Sequence, residues 1–327
     1  MNKEMKNENI KVTIITTTYM KFDRFEESVA SVAKQSFENY EYIVSDDGSD
    51  DFSYEYVESI IKKYGIKNFK IMHSDVNQGT VKNVNCACRA SSGDIIMFLS
   101  CGDIFTSDDI VTKVAMIYST KGFDLLCVRR IAYSDKPQFF LPHICCIPII
   151  LRLKTKTEQY RAFITTHYWN MASGSATYYS KRILEEMNYF DEKYRLWEDG
   201  PFFEKFLRNY KLEFAYDIIA IWYELGGVST GSPNKYLEQD RLLFDKTDRQ
   251  FMKAKLGVYA KKYVEYIYRR SKCNDRKSLN SLRLQYPMIM ISHITYKLCD
   301  GLFKIIDRVY LRLNSSWNNR FNEVQTK

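Results

Sequence analysis

Residues 11–51 read KVTIITTTYMKFDRFEESVASVAKQSFENYEYIVSDDGSDD, and this stretch decides the fold. Its first nine residues are β-branched and almost continuously apolar, which is typical of a strand buried on both faces. Residues 25–36 place apolar side chains at helical spacing, and residues 40–51 begin as a second strand and end in acids, glycine and serine. A strand, a helix and a strand in this order predict a parallel pair joined by a crossover helix.

The same alternation of strands and helices continues along the chain. Helices are predicted over 53–65 and 80–91, and strands over 69–75 and 94–100. This pattern predicts an α/β fold with a mostly parallel, doubly wound central sheet flanked by helices. Beyond residue 107 we expect a helix over 108–119, one or two strands over 123–134 and an irregular stretch over 135–160. After the segment ATYYS we expect helices over 181–188 and 201–209 and a strand over 212–224.

Three polar clusters lie at the ends of predicted strands of this sheet. They are TTTY (16–19), SDDGSDD (45–51) and SCGD (100–103). The carboxyl ends of parallel strands meet at one edge of a sheet, so we expect the clusters to line a single crevice. A capped turn is the alternative for the acidic cluster, because Asp, Gly and Ser also build tight loops. The sequence contains neither a G-x-G-x-x-G fingerprint after the first strand nor a Walker P-loop, which points away from NAD and ATP folds.

Charge divides the chain near residue 230. From Gly231 onward there are 20 Lys or Arg and 9 Asp or Glu, a net charge of +11, whereas the preceding residues carry 28 and 31, a net charge of −3. A basic region favours phosphate-rich partners, either nucleic acid or an anionic membrane surface. Because the region has no zinc-finger, basic-zipper or RNP pattern, we expect no nucleic-acid partner.

Two segments of the basic region have apolar residues on one helical face and cations on the opposite face. In the first, Leu256, Tyr259, Ala260, Tyr263, Val264 and Ile267 oppose Lys255, Lys262 and Arg269; in the second, over 294–313, Leu298, Leu302, Ile305 and Val309 oppose Lys297, Lys304 and Arg308. The simplest interpretation is that both helices cover a core. An in-plane membrane helix or a partner-binding helix is the alternative.

Eight cysteines occur without the spacing of a disulfide framework, and the first ten residues are polar rather than those of a signal peptide. The HICC stretch (143–146) is not followed by a second ligand pair at zinc-finger spacing. No apolar run approaches the roughly 20 residues that span a bilayer. We therefore expect a cytoplasmic protein that contacts the inner face of the cell membrane peripherally, if at all.

Four blocks of the chain stand out, in this order along the sequence. They read VTIITTTYMK, YEYIVSDDGSDD, NQGTVKNVNCACRASSGDIIMFLSCGD and NYFDEKYRLWEDGPFF. Together they resemble the family 2 glycosyltransferases, which are inverting enzymes with a GT-A fold. The resemblance covers about residues 10–230 and implies a GT-A domain over 1–230. Its nucleotide-binding half would be at about 10–106 and its acceptor half at about 107–230, followed by a basic helical region over 231–327.

The resemblance implies a set of residues that bind a nucleotide-sugar. They are Thr18 and Tyr19 beside the base, Asp46 at the uracil ring, Asp47 near the ribose, Asn77, Gly79 and Asn85 of the N-x-G block, and Lys82, which would replace a basic residue where this chain has Val84.

The family's Asp-x-Asp motif is reduced here to SCGD. Ser100 and Gly102 stand at positions usually occupied by acids, and with Cys101 they are expected to line the donor diphosphate. Asp103 is the acid that remains. Since Mg²⁺ commonly uses one or two protein carboxylates, the resemblance implies Mg²⁺ or Mn²⁺ held by Asp103 and the donor. Metal-independent transfer and loss of activity are the alternatives.

The segment WEDG supplies the candidate catalytic residues. The resemblance implies Asp199 as the general base, Glu198 as a residue that shapes the acceptor pocket, and Trp197 as a platform for an acceptor sugar; a helix cap is the structural alternative for the acids. The closing block WYELGGVST (222–230) has Glu224 and Gly226 near positions where the family often has Arg and His. Ser229, Thr230 or a cation from the C-terminal region would then contact the diphosphate.

These inferences predict a hexosyltransferase-type enzyme. It would move a sugar, most simply from a UDP-sugar, onto a glycan or lipid-linked saccharide with inversion, in bacterial surface polysaccharide synthesis such as capsule formation. A catalytically silent scaffold of the same fold is the main alternative, because the metal motif is reduced.

Overall fold

The computed structural model describes residues 10–133, 142–165, 171–227, 231–250 and 257–313. Its strands are β1 (Val12–Thr18), β2 (Tyr40–Asp46), β3 (Phe69–His73), β4 (Ile95–Phe98), β5 (Ile104–Phe105), β6 (Leu125–Tyr133), β7 (Thr177–Ser180) and β8 (Glu213–Glu224). Its α-helices are α1 (Phe25–Ala33), α2 (Tyr54–Lys63), α3 (Thr80–Ala90), α4 (Ile110–Lys121), α5 (Ile147–Ile150), α6 (Lys156–Thr165), α7 (Lys181–Glu186), α8 (Asp199–Leu207), α9 (Lys235–Lys246), α10 (Val258–Arg270), α11 (Arg276–Gln285) and α12 (Pro287–Leu313).

The strands form one eight-stranded sheet in the order β3-β2-β1-β4-β7-β6-β8-β5. Strands β3, β2, β1 and β4 are parallel neighbours, as the alternating sequence pattern predicts. Beyond β4 the recorded pairings of β7 with β4, β6 with β7 and β5 with β8 are antiparallel. The α/β prediction is therefore confirmed, with three parallel pairings on the N-terminal side of the sheet.

The core lies where the sequence periodicity places it. Strand β1 is buried along nearly its whole length, which explains its continuous apolar and β-branched composition. Helix α1 turns Phe25, Val29 and Val32 onto the sheet, and all three are fully buried in the main hydrophobic cluster. Each such side chain contributes roughly 1.5–3 kcal/mol through burial of apolar surface.

Two local features differ from the sequence-based expectation. Strand β5 has only two residues, Ile104 and Phe105, which pair with Trp222 and Ile221 of β8. Two residues are too few to show any periodicity, so this strand was not predicted. The stretch over 135–160 was expected to be irregular, but it contains α5 and the first turn of α6.

The chain divides into two compact units. The first comprises Met1–Arg130, Ala172–Phe202 and Leu212–Ser232, and the second comprises Ile131–Met171, Phe203–Lys211 and Pro233–Lys327. Residues 131–171 and 203–211 thus group with the C-terminal region, which differs from a simple sequence boundary at residue 230. The physical reason within the second unit is the packing of α6 against α10.

The second unit confirms most of the amphipathic prediction for α10, except that Tyr259 is exposed, and it overturns the core-covering interpretation of α12. Helix α10 buries Ala260, Tyr263, Val264 and Ile267, as expected for a helix that covers a core; Lys255 and Leu256 lie outside the described residues. In α12, by contrast, Leu298, Leu302, Ile305 and Val309 are exposed instead of packed on a core. Within the part of the chain that the structure describes, no helix is long and apolar enough to cross a membrane.

Candidate active site

Strand register places three polar side chains side by side where the parallel strands end. Thr18 of β1 is level with Asp46 of β2, and Asp46 is level with His73 of β3. The Thr18 hydroxyl donates to Asp46 Oδ1 at 2.7 Å, and His73 Nδ1 lies 2.8 Å from Asp46 Oδ2. This row confirms that the clusters at 16–19 and 45–51 meet at one edge of the sheet. His73 was not singled out from the sequence, although its position at the end of a predicted parallel strand was a usable signal.

The carboxylate of Asp46 is fully hydrogen-bonded to groups within the protein. Besides Thr18 and His73, the Ser49 hydroxyl and the backbone N–H groups of Gly48 and Ser49 all donate to its carboxylate, at 2.6–3.1 Å. Burial would raise the pKa of Asp46, but the hydrogen bonds from Ser49, Thr18 and His73 outweigh it and lower the pKa. The carboxylate is 1% exposed and its lone pairs are engaged. In this geometry Asp46 holds the loop, whereas the sequence-based prediction placed it on a uracil ring.

Asp47 connects this loop to the start of α3. Its two oxygens accept from the backbone N–H groups of Gln78 and Gly79, at 2.8 and 2.9 Å. Burial raises the pKa of Asp47, and these two hydrogen bonds and the positive charge of Arg195 act in the opposite direction. Asp47 thereby fixes the N-x-G block beside the end of β2, next to the half-exposed Tyr19.

Arg195 joins the N-x-G block to the segment that carries Glu198 and Asp199. Its guanidinium donates to the side-chain oxygen of Asn77 at 2.6 Å, and its carbonyl oxygen accepts from Val81 N at 3.1 Å. Gly79 has a φ of +95°, and a Cβ there would lie 2.5 Å from the Arg195 carbonyl oxygen, so only glycine fits. Arg195 was missed by the sequence reasoning because it is 118 residues away from Asn77.

The loop at the end of β4 is held by α1. The Ser28 hydroxyl accepts from Gly102 N at 3.0 Å and donates to the Asp103 carbonyl oxygen at 2.8 Å. Cys101 N donates to the Thr17 carbonyl oxygen of β1 at 3.1 Å, so this third cluster is tied to the same strand ends. Ser100 is exposed, whereas Asp103 is 2% exposed.

The loop at the end of β4 offers one carboxylate as a ligand for a divalent cation. Among the described residues, no group of three or more His, Cys, Asp or Glu side chains is arranged to hold a metal ion. Gly102 has a φ of +94°, a backbone conformation that disfavours an acid at the position where the resemblance expects one. One carboxylate, Asp103, with substrate phosphate oxygens and water, matches the oxygen ligands that Mg²⁺ accepts.

Glu198 and Asp199 lie at the N-terminus of α8, and the carboxyl groups of both are close to Gly174. Asp199 Oδ2 accepts from Gly174 N at 2.8 Å and Oδ1 accepts from Gly200 N at 2.6 Å. A Cβ on Gly174 would lie 2.9 Å from Glu198 Oε1 and 3.4 Å from Asp199 Oδ2, which places both carboxyl groups around this glycine. Both acids are half-buried, so they stay within reach of a solute.

The indole of Trp197 lies against the first turn of α8. A Cβ added to Gly200 would be 2.3 Å from Trp197 Cζ2, so the ring depends on the absence of a side chain there. The predicted sugar platform is thus fixed next to Asp199 by a close ring-to-backbone contact.

Two predicted donor-binding residues have other contacts in the structure. Asn85 is fully buried, and its amide donates to the Phe190 carbonyl oxygen at 2.8 Å and accepts from Phe190 N at 3.0 Å. These bonds occupy Asn85 in holding a loop to α3, so its expected donor contact is not what the geometry shows. Lys82 is exposed on α3 and contributes, after Asn85 and Arg89, to lowering the pKa of Glu192.

A cation that the sequence reasoning did not consider contacts the residue after Gly174. Arg130 of β6 donates to the Ser175 hydroxyl at 2.6 Å, one residue from the glycine that binds Asp199. Its guanidinium lies 4.1 Å from the ring centroid of Tyr223, in the closing block. Ser229 and Thr230, the predicted substitutes for the missing Arg and His, lie outside the described residues.

Comparison with known sequences identifies a family and partial relatives. The family model described as Glycosyl transferase family 2 matches residues 13–187. An uncharacterised glycosyltransferase of Haemophilus influenzae is 32% identical over 99 residues, covering 30% of this chain and 39% of the relative. The UDP-Glc:alpha-D-GlcNAc-diphosphoundecaprenol beta-1,3-glucosyltransferase WfgD of Escherichia coli is 27% identical over 106 residues, covering 32% of this chain and 40% of the relative. The chain thus spans about two fifths of the length of these two relatives.

A solved structure confirms the fold. TarS residues 1–349 from S. aureus, in complex with UDP-GlcNAc, superposes with a TM-score of 0.57 at 17% identity, covering 85% of this chain and 73% of TarS 1–349. At this level of identity the likeness establishes the architecture alone. It agrees with the GT-A fold that the four sequence blocks imply.

Proposed function

Since the chain belongs to the family 2 glycosyltransferases, we propose that it transfers a sugar from a UDP-sugar to a hydroxyl group of a glycan acceptor, with inversion at the anomeric carbon. The observation that carries the proposal is the link made by Arg195. It ties the N-x-G block, and through Asp47 the ends of the parallel strands, to the segment bearing Glu198 and Asp199. This link supports the proposal, because the loops proposed to bind the donor and the residue proposed as base then belong to one hydrogen-bonded network within the first unit.

Asp199 is the proposed general base. The acceptor oxygen forms a bond to the anomeric carbon as the bond from that carbon to the diphosphate oxygen breaks, and the electron pair leaves with the nucleotide diphosphate. The acceptor proton passes to the Asp199 carboxylate. Gly174 N and Gly200 N hold that carboxylate in place, and Glu198, whose carboxyl group also lies near Gly174, is proposed to bind the acceptor.

The strand-end loops are proposed to hold the donor. Thr18, Tyr19 and Asp47 border the place where a base and ribose would lie, with Asp46 as the residue that shapes it. Ser100 to Asp103 would face the diphosphate, and Asp103 would ligate Mg²⁺ or Mn²⁺. A bound ion would supply positive charge to the departing diphosphate. Arg130, which binds Ser175 next to the glycine that contacts Asp199, is proposed to support the same charge because it is always protonated.

The proposed acceptor is a glycan or lipid-linked saccharide. WfgD, by its name, acts on a diphosphoundecaprenol-linked sugar, and this chain shares part of its sequence with that enzyme. The basic residues from 231 onward would draw the protein to an anionic membrane surface, where such an acceptor lies. Surface polysaccharide synthesis is the setting that joins these proposals, with the protein on the cytoplasmic side.

The donor proposal is tested by calorimetric titration of UDP and GDP into the full chain, with Mn²⁺, with Mg²⁺ and with EDTA. We expect UDP to bind more tightly with metal than with EDTA, and Asp103→Ala to reduce that metal dependence. Asp94→Ala, an acid before β4, serves as the matched control and should leave it unchanged. Metal-dependent binding that Asp103→Ala does not alter would remove Asp103 as the ligand.

A catalytically silent scaffold is the competing proposal, favoured by the reduced acid content of the loop at 100–103. The same titration separates the two. Absence of UDP and GDP binding in all three solutions would favour the scaffold and contradict the transferase.

A further inference from the structure

The longest helix carries an apolar stripe on its outside. Helix α12 has 27 residues, about 40 Å at 1.5 Å per residue. Side chains at intervals of three or four residues along it are apolar and between 51% and 80% exposed. We call this set the outer face of α12; it consists of Met288, Ile291, Ile294, Leu298, Leu302, Ile305, Val309 and Leu313.

The opposite side of α12 is the side that packs. Ile289, Asp307 and Leu311 are buried, and Ile289 belongs to a small apolar cluster with residues of α10 and α11. Single exposed apolar residues are ordinary on a protein surface, but a continuous stripe along a whole helix marks an interaction surface. The outer face is therefore unlike the solvated back of a core helix.

Positive charge lies along one edge of the outer face. Lys297, Lys304 and Arg308 follow one another at helical spacing, between the stripe and the packed side. Lys304 also pairs with Asp300 at 2.5 Å, and the other acid of the helix, Asp307, is completely buried. An apolar stripe with a cationic edge is the pattern of a helix that lies in the plane of an anionic bilayer surface.

A groove extends this surface at the N-terminal end of α12. It has a volume of about 870 Å³, and its apolar wall includes Leu284 and Ile291. Arg270, Arg283 and Lys297 also line it. Leu284 is 83% exposed, so the apolar surface continues from α12 onto α11. Cations beside an apolar groove are complementary to a phospholipid, because its phosphate is anionic and its acyl chains are apolar.

We propose that the outer face of α12 docks in the plane of an anionic lipid bilayer, with Lys297 and Arg308 contacting lipid phosphates and Leu298 and Leu302 entering the acyl boundary. The charge of the region from Gly231 onward, 20 cations against 9 acids, favours this occupant over a second copy of the same basic surface. The inference rests on the proposed function in one respect: a lipid-linked acceptor places the enzyme at a membrane. The contact with the membrane is made by the outer face of α12.

The test is co-sedimentation of the full chain with vesicles of phosphatidylcholine alone and of phosphatidylcholine with phosphatidylglycerol at about 7:3. We expect at least about tenfold tighter binding to the anionic vesicles, weakened by salt. Leu298→Asp combined with Leu302→Asp should reduce binding at least about tenfold. Met116→Asp, on the exposed side of α4, is the matched control and should bind like the unmodified chain.

Charge is tested separately by Lys297→Glu combined with Arg308→Glu, which should remove the preference for anionic vesicles, whereas Lys121→Glu on α4 should preserve it. This pair and the salt dependence of the unmodified chain keep the test decisive if the Asp variants do not fold. Unchanged vesicle binding in both double variants would overturn the proposal. So would dimerisation in solution that Leu298→Asp with Leu302→Asp abolishes, without vesicle binding. UDP affinity, measured on the same variants, should stay unchanged, so failure of docking and failure of the donor site are distinguishable.

Discussion

Glu41 and Asp46 lie on the same strand, β2, and the fold uses both carboxylates completely. They are 2% and 1% exposed, and each accepts several hydrogen bonds from neighbouring elements. Glu198 and Asp199 differ, because they are half-buried at the start of a helix. At the scale of single residues, the acids of the sheet hold loops in place, whereas the acids of α8 are more accessible to solvent.

Glu41 gives the stability of the first unit a defined pH dependence. Burial would raise its pKa, but hydrogen bonds from Lys70, Ser92 and Thr13 outweigh it and lower the pKa from 4.5 to about 2. A carboxyl with a lowered folded-state pKa stabilises the fold above its unfolded pKa, and this stabilisation is lost as the pH falls from about 4.5 toward 2. Glu41→Gln should therefore lower the free energy of unfolding by about 3 kcal/mol at pH 7.

The measurement is urea unfolding of both chains at pH 7 and at pH 3.5, where the difference should be smaller. Glu58→Gln is the matched control, because its pair with Lys62 is exposed and exposed pairs contribute about 0–1 kcal/mol. If the difference in the free energy of unfolding between Glu41→Gln and the unmodified chain is larger at pH 3.5 than at pH 7, the pKa of Glu41 is not lowered by folding.

Gly200 offers a test of the Trp197 platform. Because a Cβ there would overlap the indole, Gly200→Ala should displace the ring and raise the KM for the acceptor about tenfold, with little change in UDP affinity. Gly227→Ala is the matched control, since no atom lies within 4 Å of a Cβ at that position. Initial rates over a range of acceptor concentrations give the comparison. If both variants behave alike, Trp197 does not contact the acceptor.

At the scale of elements, the parallel half of the sheet was predictable because each strand and helix there has its own periodic apolar pattern. Strand β1 and helix α3 begin and end within a few residues of the sequence-based bounds. The two-residue β5 has no such pattern. Whether an apolar helical face meets a core or faces outward is also not a local property, and α10 and α12 gave opposite outcomes from similar patterns.

The candidate site was predictable in its loops and less so in its contacts. Glycine and acids at strand ends correctly predicted that the clusters at 16–19, 45–51 and 100–103 lie at connected strand ends. The saturation of Asp46 and the burial of Asn85 depend on partners such as His73 and Phe190, which come from other parts of the chain. No local pattern around either residue could show which of its hydrogen-bonding groups remain available.

A buried carboxylate of α12, that of Asp307, binds the helix to residues 143 and 144 of the same unit. Asp307 is 0% exposed and accepts from His143 Nδ1 at 2.5 Å and from Ile144 N at 2.9 Å. Asp307→Ala leaves both donors buried without this acceptor, which should cost about 2–4 kcal/mol. We expect faster amide hydrogen exchange throughout α12.

The matched control is Asp300→Ala, since Asp300 is on the same helix, is partly exposed and lies farther from His143, at 3.4 Å. It should accelerate exchange much less. Equal protection of α12 in the Asp307→Ala and unmodified chains would show that apolar packing alone holds the helix.

At the scale of the whole molecule, the proposed catalytic site and the proposed membrane-binding face lie in different parts of the chain. The residues before Gly231 carry a net charge of −3 and contain the strand ends and the acid pair, while those from Gly231 onward carry +11 and contain the outer face of α12. This distribution agrees with the proposal that the anionic donor is bound by hydrogen bonds and a local cation. The larger positive charge, from Gly231 onward, would then bind the membrane surface.

The central claim is that Asp199 removes the acceptor proton while other residues bind the donor. The direct measurement is kcat for transfer from UDP-sugars, alongside the Kd for UDP, in Asp199→Asn and in Asp217→Asn, an exposed acid of β8 that serves as control. The account predicts a fall in kcat of about 10²-fold or more for Asp199→Asn, typical of general-base loss, with the Kd for UDP within about threefold. Retained kcat in Asp199→Asn, or an equal loss of turnover and UDP affinity, would contradict it.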